Sequence, residues 1–188
     1  MMMKKEDISK IYHDPSHPAS FGGINKFAKA TGQSVAKALK WLKSQRTYTL
    51  HKPARKRYDT RPYRTKGIDY QWQADLVEMQ PHARINNGYR YILTIIDIFS
   101  RYAWAQPMKN KTPQEVVRAL KLVFRHRKPL YFQTDQGKEF ENKTVHAFLA
   151  VHGIKQFSVK SQYKAAMVER WNRTLKKKMW RYSTHVGN

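Results

Sequence analysis

The chain contains no cysteine. That removes disulfides, thiolate nucleophiles and every zinc site built on sulfur ligands, and it fits a reducing compartment. Acids are also scarce: 13 Asp and Glu stand against 37 Lys and Arg, a formal charge of +24 over 188 residues. Long apolar runs are missing too. The longest, around Tyr91–Phe99, is far too short to span a bilayer, and the opening MMMKKEDISK lacks the apolar stretch of a signal peptide. The expectation is a soluble protein that is not secreted.

So large a surplus of cations implies a polyanionic partner, most simply nucleic acid. An anionic membrane surface is the weaker alternative, because no basic amphipathic helix stands out. Residues 1–66 and 67–188 each carry a net +12, so both parts are expected to face the same polyanion.

Residues 1–46 read as a small helical domain. Pro15 and Pro18 set off a first short helix. Ser20 is placed to cap a second, with Phe21, Ile24 and Phe27 at helical spacing. Thr31-Gly32 breaks that pattern. Ser34 can cap a further helix with Val35, Leu39 and Leu42 on one face and Trp41 beside it. Two short helices joined at a glycine fit a helix-turn-helix DNA-binding unit, or a helical hairpin that packs for structural reasons. Residues 47–66 read as a basic linker with no helical apolar period, suited to lie on a phosphate backbone through Lys52, Arg55, Lys56 and Arg57. The same run, KPARKR, also fits a nuclear localisation signal. Tyr58 and Tyr63 could stack on bases.

From residue 67 the character changes to α/β. QWQADLVEM, YRYILTIIDIF and RYAWAQPM read as successive strands, with Asn87-Gly88 as a hairpin turn between the first two. A helix over TPQEVVRALKLVFRH, a strand LYFQTD, a helix ending at Gly153, a short strand KQFSV and a last helix AAMVERWNRTLKKKMWRY follow. In this order the first strand is central and the fourth lies beside it.

Three acids stand where an acid is locally odd. Asp75 interrupts a strand pattern, where Asp is disfavoured. Asp135 ends a buried strand before Gln136-Gly137, at the kind of strand end where α/β folds place ligands. Glu169 opens a basic helix. Each alone has a plain explanation: a hydrogen-bonded structural acid, a turn-forming aspartate, a solvated helix acid. Together, in the strand order above, they can approach one another. Hard oxygen ligands select Mg²⁺ or Mn²⁺, and two such ions can serve an in-line displacement at a phosphodiester. On the last helix, Val168, Trp171, Leu175 and Met179 form the expected core stripe, with Glu169, Arg173, Lys176 and Trp180 on a neighbouring face.

QWQADLVEM, IDIFSRYAWAQPMKNKT, FQTDQGKEF and KAAMVERWNRTLK resemble the catalytic core of retroviral-type integrases and related D,D,E transposases. PASFGG and YTLHKPARKR, followed by GIDYQWQADLVEM, resemble more particularly the integrases of Maverick/Polinton elements, transposons related to virophages. The resemblance implies a ribonuclease H-like core with a mixed five-stranded sheet over 67–188. It implies two ions of Mg²⁺ or Mn²⁺ held by Asp75, Asp135 and Glu169 as catalytic residues. It further implies 3′-end processing of element DNA, strand transfer into target DNA, and a homo-oligomer as the active complex. The family's DNA-contacting positions after the glutamate fall on Asn172, Arg173 and Lys176, and Lys164 heads the same motif. Asp97 matches a recurring acid outside the metal set and is expected to be structural. The retroviral zinc-binding N-terminal domain is not expected here, since cysteine is lacking and His13 and His17 are separated by Asp14-Pro15-Ser16. Only 33 residues separate Asp135 from Glu169, and Asn188 stands 19 beyond it; a shortened loop and a core truncated at its C-terminus are expected. The expected location is the nucleus, or a viral factory or the cytoplasm for a virophage product. A DNA-binding remnant without catalysis and a ribonuclease H-like nuclease are the alternatives.

Overall fold

Alternating side chains from Gln71 onward build a five-stranded sheet. A computed structural model describes residues 5–51, 64–158 and 165–187. Its strands are β1 (Gln71–Glu78), β2 (Tyr91–Asp97), β3 (Ala103–Met108), β4 (Tyr131–Thr134) and β5 (Lys155–Ser158). Its helices are α1 (Lys5–His13), α2 (Ile24–Thr31), α3 (Val35–Ser44), α4 (Arg46–Leu50), α5 (Pro113–Phe124), α6 (Lys143–Val151) and α7 (Ala166–His185). Of the described residues, 64–158 and 165–172 form one compact unit, and 5–51 with 173–187 form another.

In the sheet unit the strand order is β3-β2-β1-β4-β5. β1, β2 and β3 pair antiparallel, whereas β4 joins β1 and β5 in parallel. This is the expected mixed sheet of a ribonuclease H-like core. Trp72, Leu93, Ile95 and Phe132 pack under Val116 and Leu120 of α5 and Leu149 of α6, all essentially inaccessible to water. Removing an aromatic ring from such a core costs ~3–5 kcal/mol.

The connection from β1 to β2 is longer than a two-residue hairpin. A 3-10 turn at Gln80–His82 intervenes. Asn87 and Gly88, both left-handed at φ 52° and 81°, turn the chain further on, where Tyr89 N–H donates to Asn86 O at 2.9 Å.

Asp97, at the end of β2, is fully buried. It accepts from Phe99 N–H, Ser100 Oγ and Arg127 Nη2. Arg127 also grips Asp69 through Nε and Nη2 and lies over the rings of Trp72, Tyr102 and Trp104. These bonds tie the end of β2 to the turn that follows it and to Arg127.

The helical unit departs from the sequence expectation in several places. Ser20 does not cap α2. It is buried in a turn, and Gly23 occupies the cap position without a side-chain bond. Phe21 adopts a left-handed φ of 46°, unusual for a residue with a Cβ. Ser34 does cap α3, accepting from Lys37 N–H at 3.4 Å. The inward face of α3 is Ala38 and Leu42, while Val35 is 54 % exposed. The predicted linker from 47 begins instead with α4, whose Thr47 and Tyr48 are buried.

The predicted domain boundary also moves. The sequence assigned all of 67–188 to the core, yet α7 from Arg173 onward packs with the N-terminal helices. Arg181 is the cause. It is 1 % exposed, donates from Nη1 to Phe21 O at 2.5 Å and sits 5.2 Å from the Tyr48 ring centre. Its partners are carbonyl groups and an aromatic face rather than a carboxylate. Burial together with this guanidinium holds the Lys177 amine below the ordinary lysine range, and burial pushes the Tyr12 hydroxyl up to about 12. His185 stacks on His13 with ring centres 4.3 Å apart.

Two stability predictions follow from these networks. Arg181→Ala strands the Phe21 carbonyl and empties a packed site, so it should cost ~2–4 kcal/mol, read as an earlier transition of the helical unit in urea. Asp97→Ala should cost the sheet unit about 3 kcal/mol by leaving Arg127 half-paired, with a matching fall in its melting temperature.

Candidate active site

The strand order reverses at β1: the chain runs outward to β3 and returns to start β4 on the other side of β1. Such a switch point, at the carboxyl ends of parallel strands, is where open α/β sheets bind ligands. β1 and β4 pair through Trp72↔Phe132 and Gln73↔Gln133. Continuing that register by two residues sets Asp75 abreast of Asp135. Glu169 lies in the first turn of α7, the helix whose opening N–H groups of Met167 and Val168 donate to Gln73 Oε1 at 3.1 and 3.2 Å.

The three carboxylates therefore come within electrostatic reach of one another. Burial pushes the Asp75 carboxyl above the usual range, and the nearby Asp135 and Glu169 charges push it further. Two donors oppose the shift: Leu76 N–H to Oδ1 at 2.8 Å and Asn172 Nδ2 to Oδ2 at 2.8 Å. Asp135 is exposed and its Oδ1 accepts from Gly137 N–H at 3.1 Å, which satisfies the plain turn-forming explanation as well.

Convergence on a shared metal position was expected, and the side chains do not reach it. Among the described residues, no three His, Asp or Glu groups stand close enough to hold an ion together. The physical reason lies in the bonds just given. The Asp75 oxygens and one Asp135 oxygen are turned towards protein donors. The donor set itself fits a hard divalent cation, being three carboxylates with no soft ligand. A cation would also offset the burial and the neighbouring charges that raise Asp75.

Asn172 was expected to touch DNA. It is buried, and its Nδ2 serves Asp75 while Oδ1 has no partner among the described residues. Arg173 is exposed and Lys176 half-buried on α7. Lys52, Arg55, Lys56, Arg57 and Lys164 lie outside the described residues, as do Tyr58 and Tyr63. Sequence reasoning missed an open groove of about 530 Å³ around Arg90, Lys109, Lys111 and Lys138. It also missed Gln73 and Gln133, which are buried and bonded to each other at 3.0 Å. A signal for them was present: Trp72-Gln73-Ala74-Asp75 and Phe132-Gln133-Thr134-Asp135 are the same aromatic-Gln-small-Asp pattern.

Comparison with known proteins agrees with this architecture. Residues 67–163 match the family described as the integrase core domain. A transposon-derived protein of Caenorhabditis elegans is 40% identical over 112 residues, 58% of this chain and 39% of that protein. The Gag-Pol polyprotein of feline leukemia virus is 28% identical over 121 residues, 62% of this chain and 7% of the polyprotein. The chain thus spans well under half of these relatives. Among solved structures, a chain of the simian T-cell lymphotropic virus intasome in complex with PP2A regulatory subunit B56 gamma superposes with a TM-score of 0.60 at 19% identity, covering 89% of this chain and 60% of that one. The HTLV-2 integrase catalytic core domain in complex with magnesium gives 0.55 at 23% identity, covering 66% and 78%. With its sheet, its switch point and more than half its length matched, the chain belongs to the integrase core domain family.

Proposed function

We propose that this chain is a metal-dependent DNA integrase of the D,D,E type, which trims the ends of an element's DNA and joins them to target DNA. Integrase core domains are polynucleotidyl transferases, and the observation that carries the reading here is the β1–β4 register that sets Asp75 abreast of Asp135 at the sheet's switch point, with Glu169 in the first turn of the helix tied to Gln73. The magnesium in the HTLV-2 core supports Mg²⁺ or Mn²⁺ as the cofactor. Asp75, Asp135 and Glu169 would hold it. Bound there, divalent ions activate the attacking oxygen and stabilise the leaving one.

The remaining work falls to the chain's own residues. Asn172 holds the Asp75 carboxylate in place. Its buried Oδ1, without a partner among the described residues, leaves it a second acceptor. Arg173 and Lys176, further along α7, bind phosphates, as do Lys52, Arg55, Lys56, Arg57 and Lys164. In trimming, water attacks a phosphodiester and a 3′-hydroxyl leaves. In joining, that 3′-hydroxyl attacks a target phosphodiester, loses its proton, and displaces the target's own 3′-oxygen. No covalent bond to the protein is needed. Two ends must meet one target, so the active form is a homo-oligomer, a reading supported by the intasome and by the dimeric and trimeric HTLV-2 cores. The PASFGG and YTLHKPARKR segments, with the higher identity to a transposon-derived protein than to viral polyproteins, favour a Maverick/Polinton-type element and action in the nucleus.

With Mn²⁺ and terminal-repeat DNA, the purified chain should nick or join strands. Asp135→Asn should lower that rate by at least about 100-fold without a fall in melting temperature; an equally active variant would sink the mechanism. Arg173→Ala with Lys176→Ala should flatten the salt dependence of DNA binding by about 2 in log–log slope.

The raised Asp75 carboxyl gives a third expectation. Between the ordinary value of 3.8 and its raised one, the folded chain keeps a proton that the unfolded chain has lost. Stability therefore falls as pH rises through that window and stays lower above it. Asp75→Asn should accordingly raise the melting temperature at pH 7 in chelator, and the gain should disappear below pH about 3.8.

A further inference from the structure

We propose that Gln73 and Gln133 are positioning residues that set the spacing of the three acids, an inference whose catalytic part rests on the D,D,E reading above. Gln73 is 0 % and Gln133 1 % exposed. Burying a primary amide is unfavourable unless its groups are hydrogen-bonded, and an apolar residue would fill either position more simply. Both amides are instead spent on joining structural elements.

Gln73 Oε1 accepts from the N–H groups of Met167 and Val168. Its role as a double acceptor fixes the orientation of the amide, so Nε2 is the end that donates to Gln133 Oε1. The same Gln133 oxygen accepts from Gln71 Nε2 at 2.9 Å. The first N–H groups of a helix need an external acceptor, and a residue just before the helix usually supplies it. Here the acceptor stands 94 residues earlier, inside β1. A local cap would satisfy α7 equally well but would leave its start unreferenced to the sheet.

Each end of this linkage lies close in sequence to an acid. Residues two apart on a strand share a face, so Gln73 lies beneath Asp75. Gln133 stands two before Asp135, and Val168 immediately precedes Glu169. One chain of hydrogen bonds therefore runs from β4 through β1 to α7, passing under every carboxylate of the site. It fixes Asp75 to Asp135 through the glutamine pair and Asp75 to Glu169 through the helix start.

The test uses the full chain. Gln73→Met keeps the volume and removes the acceptor. Gln73→Glu keeps an acceptor for Met167 and Val168. Hydrogen exchange in chelator should show the Met167 and Val168 amides at least ~10-fold faster in Gln73→Met, with the sheet amides unchanged, and near wild type in Gln73→Glu. The Mn²⁺ concentration giving half of the Mn²⁺-induced rise in melting temperature should increase ~10-fold or more in Gln73→Met, while the salt slope of DNA binding stays the same. Gln133→Met should raise the Mn²⁺ requirement but leave the two amides protected, and it carries the test should Gln73→Met not fold. Unchanged exchange at Met167 and Val168, identical behaviour of the Met and Glu variants, or an unchanged Mn²⁺ requirement in Gln133→Met would overturn the proposal. A chain that shows the exchange pattern but no response to Mn²⁺ would refute the D,D,E reading and the positioning role together, leaving only a helix cap.

Discussion

The parallel pairing of β1 with β4 is the contact on which the site depends. Only three residue pairs make it, Gln71↔Tyr131, Trp72↔Phe132 and Gln73↔Gln133. Alternation then divides the work. Trp72 and Phe132 turn to one side and lock into the apolar core under α5 and α6. The glutamines turn to the other side and meet α7. A one-residue slip in this register would send every side chain to the wrong face, burying the amides in the apolar core. The apolar side therefore enforces the geometry of the polar side, and the acids that follow take their places from it.

The site then works against the rest of the molecule's charge. At +24 the chain as a whole attracts anions, yet burial raises the Asp75 carboxyl and the nearby Asp135 and Glu169 charges add to the rise. Asn172 and Leu76 N–H hold that carboxylate in the meantime. The repulsion is the kind of stored destabilisation found at functional sites and tolerated because the surrounding framework is firm. Here the framework includes the Arg127 cluster, in which one guanidinium serves two aspartates and lies over three aromatic rings.

Much of this was legible in the sequence because its signals are local. Short apolar segments bounded by turn signals marked all five strands, Ser34 marked the start of α3, and the neighbouring placement of Asp75 and Asp135 followed from strand order. What stayed hidden depends on partners far along the chain. Ser20 looks like a helix cap, but the turn there is shaped by Arg181, some 160 residues away. Gln73 looks like a polar strand residue because its helix lies 94 residues downstream. Val35 looks like a core residue by period alone, while the smaller Ala38 is the one that lets α3 pack closely. The inward turn of Asn172 could not be read from helical spacing, since its partner sits on a strand. The orientation of each carboxylate was likewise invisible, being decided by individual N–H groups.

α7 contributes its first turns to the sheet unit and its later turns to the helical one. For a chain made from its N-terminus this imposes an order on synthesis. α1 to α4 leave the ribosome without the helix that supplies Arg181, which arrives only after the whole sheet has been made. Until that helix forms, Phe21 lacks its neighbours Tyr182 and His185, and Tyr48 lacks the Arg181 guanidinium. The N-terminal helices thus complete their unit only once α7 has been made.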